Sequence, residues 1–135
     1  MSKIESVQKI YAYFGSGNIP AMLEHMTEDI VWVDSTDKAY SPFGGTHHGR
    51  EAVLAYFQTL GSQIQFTRFE PQEFLENDSK VVAIGAYDGV DPGNPANQFS
   101  SDWVMSFGFE GPLVKHFQIF SDTHKIYSFF QAKQG

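Results

Sequence analysis

The chain contains no cysteine, which removes disulfide frameworks, thiol nucleophiles and thiolate metal sites and suits an intracellular-type protein. Positive charge is also scarce. Nine Lys and Arg stand against sixteen Asp and Glu, for a formal net charge of −7, and the basic residues are scattered singly. No cationic stripe exists to neutralise phosphates, so no nucleic-acid partner is expected. Long apolar runs are missing too. Nothing approaches the ~18 apolar residues of a membrane span, and residues 1 to 20 lack a secretory h-region. The expectation is a cytoplasmic protein without membrane association. Phosphate-binding Gly loops, dinucleotide fingerprints and Gly-x-Ser-x-Gly elbows do not occur, so no cofactor is expected.

What is present fits one domain, residues 1–135, because a chain of 135 residues can bury a substantial core. Aromatic residues make up 16% of it, with thirteen Phe, which suits an apolar pocket or a subunit interface.

Apolar spacing then orders the chain. Ile4, Val7, Tyr11 and Phe14 predict an amphipathic helix over residues 2–16, stopped at Gly15-Ser16-Gly17. Asn18 caps a short second helix with Pro20 in its first turn, expected to end at Thr27-Glu28-Asp29. Ile30 to Val33 reads as a strand, Ser35 to Gly49 as a long loop, and Arg50 to Leu60 as a third helix through Val53, Phe57 and Leu60. The second half alternates with period two in runs at 63–69, 72–76, 80–88, 99–109 and 113–121, an antiparallel meander. Helices first and strands after argue for α+β, with helices on one face of a curved sheet.

The turn at Gly111-Pro112 decides which side chains of the last two long strands share a face. A two-residue loop sets Glu110 opposite Leu113. A three-residue loop, the preferred register, puts Asp102 opposite Asp122, Val104 opposite Phe120, Ser106 opposite Gln118 and Gly108 opposite His116. Trp103, Met105, Phe107, Phe117 and Ile119 then fill the other face. The first of these faces mixes apolar walls with a few polar groups, as pockets do, and is the expected pocket side. Two carboxylates that close together raise one pKa.

Read together, the first helix ending in "GSGN", then "MTEDIVWVD", "PFGGTHHGREAVLAYFQTL", "SDWVMSF" and "FQIFSDT" resemble the SnoaL-like polyketide cyclases and the related ketosteroid isomerases of the nuclear transport factor 2-like superfamily. The resemblance implies a cone-shaped α+β barrel whose bent sheet wraps a helix and encloses a pocket. It also implies a homodimer formed through the outer sheet face, with Trp103, Met105 and Phe107 as the expected contact surface. Asp34 falls where the isomerases keep their base, and Asp102 where they keep a neutral, donating aspartic acid, roles known from that worked example. Asp122 in "FSDT" falls on the cyclases' acid/base aspartate. Ser35 after Asp34 departs from the isomerase pattern, and Ile10 rather than Tyr11 aligns with its oxyanion tyrosine.

The candidate catalytic residues are therefore Asp34, Asp102 and Asp122. Tyr11, Trp32, Trp103, Ser106, His116, Gln118 and Phe120 are candidate contacts to a small apolar or aromatic molecule. Each has a plainer alternative. Asp34 suits a turn, Asp122 suits an N-cap of a last segment over 123–131, and the tryptophans and tyrosines suit a core. Five histidines raise the question of metal, yet His47 and His48 point apart in extended chain and no His-Glu-x-x-His spacing occurs, so no metal site is expected. Hydrolysis by a carboxylate-activated water needs an Arg beside an Asp in the cavity, and Arg50 and Arg68 are the only arginines. The expected activity is cofactor-free proton transfer at a carbon alpha to a carbonyl: isomerisation, aldol cyclisation or dehydration. The alternative is a non-catalytic module that binds a ligand or dimerises with the same fold.

Overall fold

A computed structural model of the chain describes residues 1–134. Helix α1 (Lys3–Gly15) starts in a capping box, in which the Ser2 hydroxyl accepts from the Glu5 N–H and Glu5 accepts from the Ser2 N–H. Helix α2 (Ile19–Leu23) is capped by the Asn18 side chain, which accepts from the Ala21 N–H at 3.3 Å. Helix α3 spans Arg50–Gln63 and runs through Gly61, where a stop was expected. A glycine inside a helix costs only about 1 kcal/mol, which tertiary packing overrides.

Strand β1 (Met26–Asp34) begins four residues before the expected Ile30, because Thr27-Glu28-Asp29 is extended rather than a helix end. The expected loop contains a short strand, β2 (Gly45–His48), paired antiparallel to β1 with Trp32 opposite His47. Then come β3 (Gln65–Glu76), β4 (Lys80–Asp91), β5 (Asn94–Glu110) and β6 (Leu113–Ser121), followed by helix α4 (Thr123–Gln134). The two runs expected at 63–69 and 72–76 are one strand, β3. It lies at the sheet edge, where Pro71 is tolerated because no ladder bond is demanded of it. The six strands form one curled, open, mixed sheet in the order β2-β1-β6-β5-β4-β3. All neighbours are antiparallel except β1 and β6. No helix among the described residues is long and apolar enough to cross a membrane.

At the β5–β6 turn Glu110 lies opposite Leu113, and Gly111 takes φ 58°, a conformation glycine adopts freely. Past the turn, Phe109 pairs with Val114 but Gly108 with His116, so Lys115 has no partner and the strand is bulged. The bulge restores the preferred register: Ser106 faces Gln118 and Val104 faces Phe120. The two-residue turn and the longer-loop pairing coexist in one hairpin.

The faces are the reverse of the expectation. Trp103, Met105, Phe107, Phe117 and Ile119 are buried inside the curl, where Tyr11 of α1 meets the Trp103 and Phe107 rings and Trp32 stacks on Phe117 at 3.6 Å. Full burial of such side chains gains about 1.5–3 kcal/mol each, so the wholly apolar face takes the interior. The mixed face looks outward, with Asp102, His116 and Phe120 exposed and Ser106 and Gln118 half-buried. The dimer surface expected at Trp103, Met105 and Phe107 is therefore already consumed by the protein's own core.

Candidate functional site

The concave side of the sheet and the inner faces of α1, α3 and α4 leave a cavity of about 60 Å³. Its walls are mostly rings, among them Trp32, Phe43, Phe99 and Phe117. The few polar groups come from Asp34, Thr36, Tyr56, Tyr87 and Ser121, with Tyr11 on α1 and no Lys or Arg among the described lining residues.

Asp34 closes β1. It is only 7% exposed, because the alternation that buries Ile30 and Trp32 carries it inward as well. Its Oδ1 accepts from the Thr36 N–H at 2.9 Å and its Oδ2 from the Tyr56 hydroxyl at 2.8 Å. Burial pushes its carboxyl above the ordinary range, and the Thr36 N–H, the Tyr56 and Thr36 hydroxyls and nearby His47 hold that rise back. The group therefore sits between two demands, an apolar site that favours the neutral acid and donors that favour the carboxylate.

Tyr56 reaches Asp34 from α3 and belongs to the buried stripe Val53, Tyr56, Leu60. Burial and the adjacent Asp34 charge push its phenol far up, opposed by the Trp32 indole N–H. That N–H lies toward the Tyr56 oxygen but completes no hydrogen bond. His47 of β2 donates through its Nε2 to the Phe43 carbonyl oxygen at 2.9 Å, and its ring stands edge-on to Tyr56 at 5.2 Å. Helix α4 covers the Phe43 and Phe99 side: Phe130 packs on Phe43 at 5.4 Å, Phe129 on Phe99 at 5.1 Å, and Ile126 lines the cavity.

Residues 7–117 match the family model of the SnoaL-like domain. The chain belongs to the SnoaL-like family. Among solved structures, this SnoaL-like chain is similar to a nuclear-transport-factor-2-like protein of unknown function from Burkholderia pseudomallei, with 23% identity and TM-score 0.87, covering 96% of this chain and 98% of the other. A proposed isomerase from Rhodopseudomonas palustris is 12% identical, covers 98% of both chains and has TM-score 0.81. A proposed SnoaL-like polyketide cyclase from Mesorhizobium loti is 13% identical, with TM-score 0.71 over 89% of this chain and 99% of that one. At these identities the likeness is one of fold. No curated protein matches.

Of the residues singled out from the sequence of this SnoaL-like protein, the cavity brings together Asp34, Trp32 and Tyr11. Trp103 is core, 1% exposed and packed on Tyr11 and Phe69. Ser106, His116, Gln118, Phe120 and Asp102 stand on the outward face and do not meet the cavity, because the apolar set displaces them from it. Asp122 is exposed and caps α4: its Oδ1 accepts from the Lys125 N–H at 3.2 Å and its carbonyl from the Ile126 N–H at 3.3 Å. Asp102 and Asp122 thus form no cavity dyad. The arginines lie elsewhere, Arg50 on the Met26 carbonyl and Arg68 paired with Asp88 on the surface, so the water-activating arrangement is not assembled.

Sequence reasoning missed Tyr56, Tyr87, Thr36 and Ser121. Tyr56 was within reach, since Val53, Tyr56 and Leu60 keep helical spacing as well as Val53, Phe57 and Leu60 do. Tyr87 carries a subtler signal, a large polar-tipped ring between two glycines in "GAYDG".

Proposed function

We propose that this SnoaL-like protein is a cofactor-independent enzyme that moves a proton at a carbon alpha to a carbonyl, on a small neutral substrate with an apolar or aromatic body. Asp34 is the base. The observation that carries this reading is a lone carboxylate, buried among rings at the end of β1, with both oxygens held by donors and its pKa raised. Such a group removes a proton from a weak carbon acid better than a solvated aspartate does, and positioned bases of this kind contribute ~10²–10⁴-fold. The lack of Lys and Arg in the lining supports a neutral substrate, since nothing there repays the burial of an anion. Proposed isomerases and cyclases of the same fold fit this reaction class without deciding among its members.

The test needs no knowledge of the product. The protein is incubated in D₂O with a panel of neutral ketones, and loss of the alpha-proton signal is followed by NMR. Asp34-dependent exchange with at least one ketone is expected, and the Asp34→Asn variant should lose it. Exchange that survives in a folded Asp34→Asn protein rules Asp34 out as the base. The second reading, a ligand carrier, is favoured by one observation: both Asp34 oxygens are already engaged. Ketones that bind with no exchange in any case would establish it.

A further inference from the structure

The reaction proposed for Asp34, on which this inference rests, sends negative charge onto the substrate's oxygen, and some donor in the cavity has to receive it. Most polar atoms there are already committed. The Tyr56 hydroxyl and the Thr36 N–H both serve Asp34, and the Tyr11 hydroxyl donates to the Met105 sulfur at 3.1 Å. Tyr87 differs. It is buried, it lines the same cavity, and its hydroxyl is spent neither on Asp34 nor on Met105, its hydrogen-bonding neighbour being the Ser121 side chain. Ser121 and Asp34 are the polar side chains near enough to act on it.

The strand around Tyr87 is shaped to present that hydroxyl. Side chains alternate along β4, so Gly85 and Gly89 share the inner face with Tyr87. A Cβ at Gly85 would meet the Glu70 carbonyl oxygen and come within 2.5 Å of Trp103 Cζ2. One at Gly89 would come within 2.5 Å of Phe99 Cε1 and 2.8 Å of Ile64 Cγ2. Rings therefore lie down on the strand at both glycines, and Tyr87 alone rises between them. Phe66 stacks on its ring at 5.4 Å and 30°, while Phe99 meets it edge-on at 5.5 Å and 90°. A ring held on two sides keeps its hydroxyl in place before any ligand arrives, which is the preorganisation an oxyanion donor needs.

We propose that Tyr87 is the hydrogen-bond donor to the substrate's carbonyl oxygen, acting together with the Asp34 base. As Asp34 takes the alpha proton, the C–H electron pair becomes the C=C bond of an enolate and the carbonyl π pair moves to oxygen. The Tyr87 O–H donates to that oxygen and keeps its proton. Return of the proton from Asp34 to carbon completes the turnover, with no electrons gained or lost. Burial pushes the Tyr87 phenol up to about 12, the Asp34 charge adding to it against Ser121, so the group remains a donor at neutral pH.

The test uses 2-cyclohexenone labelled with ¹³C at the carbonyl, followed by isotope-edited infrared spectroscopy. In the unsubstituted protein the bound carbonyl stretch should fall below its value in an apolar solvent. Tyr87→Phe should return it toward that value, weaken binding about tenfold and slow alpha-deuterium exchange about 10²–10³-fold. A folded Tyr87→Phe protein with the frequency and exchange unchanged overturns Tyr87 and leaves Asp34 standing. A shifted carbonyl without Asp34-dependent exchange overturns the base and keeps Tyr87 as a ligand donor. An enone that does not bind overturns both. Should Tyr87→Phe fail to fold, nuclear Overhauser contacts in the unsubstituted protein decide: contacts with the Tyr87 ring are expected, and contacts confined to Tyr11 overturn the proposal.

Discussion

Asp34 has a stability signature of its own. Its folded pKa is raised, so the native state holds the proton more tightly than the unfolded chain, whose aspartates titrate near ~3.9. The corresponding stability is fully present below that value and is lost as pH rises through the raised folded value. Asp34→Asn should abolish this slope, so that the wild-type protein loses stability relative to the variant across that window in paired urea titrations. The variant should also lose about 10²–10⁴-fold in exchange rate, measured by NMR. Tyr56→Phe acts the other way. Its hydroxyl lowers the Asp34 pKa, so removing it should raise that pKa further and move the acidic limb of the pH–rate profile to higher pH. Stability should fall by about 1.5–3 kcal/mol, the worth of a hydrogen bond to a charged group. Asp34 was legible in the sequence because an acid ends an otherwise apolar strand. Asp102 and Asp122 looked equally good by family position, but alternation turns one outward and helix geometry claims the other as a cap.

Among the elements, β4 and α4 govern access to the site. Gly85→Ala places a methyl against the Trp103 ring and the Glu70 carbonyl, and should cost about 1–3 kcal/mol by overpacking, measured as a lowered urea midpoint. Helix α4 is held by a few polar ties over its apolar contacts. Lys133 pairs with Asp91 at 3.0 Å with both side chains mostly buried, and Asn97 donates to the Phe129 carbonyl at 3.0 Å. A cavity of about 60 Å³ is smaller than the ~150 Å³ that accepts a benzene ring, so a ring-bearing ligand enters only if a wall yields. Helix α4 forms one such wall, tied near its end by the Lys133–Asp91 pair. Lys133→Met should therefore speed ligand association several-fold in stopped-flow measurements of Trp32 fluorescence, with exchange chemistry nearly unchanged. The helices α1 to α3 were readable from 3.6-residue spacing. Strand β2 was not, because four residues inside a Gly-rich loop carry too little alternation to register.

At the scale of the whole molecule, the α+β order and the register of the last hairpin could be read from the sequence, but its inside and outside could not. A few polar side chains on one face suggested a pocket. In the folded protein the pocket takes most of its polarity from β1, α3 and β4 instead, and apart from Ser121 at its end the hairpin supplies apolar wall. Sequence periodicity sorts residues into two faces but does not say which face the helices choose. The outward side of the sheet carries Phe120, 47% exposed beside half-buried Val104 and Gln118, and we propose it as the surface for a homodimer. Phe120→Asp should convert a dimer to a monomer in light scattering without disturbing ketone exchange.

The bulge in β6 also bears on which changes of chain length the protein tolerates. Val114 and Phe117 point inward, while Lys115 and His116 between them are both exposed. Losing one residue from a strand ordinarily reverses every side chain beyond it. Here, deletion of Lys115 leaves Val114, His116 and Phe117 in plain alternation and costs chiefly its surface ion pair with Glu110. Deletion of Gln118, three positions on, would turn Ile119 and Ser121 out of the cavity and bring Phe120 in. Within β6, Lys115 is thus the position where a codon can be lost and the site kept.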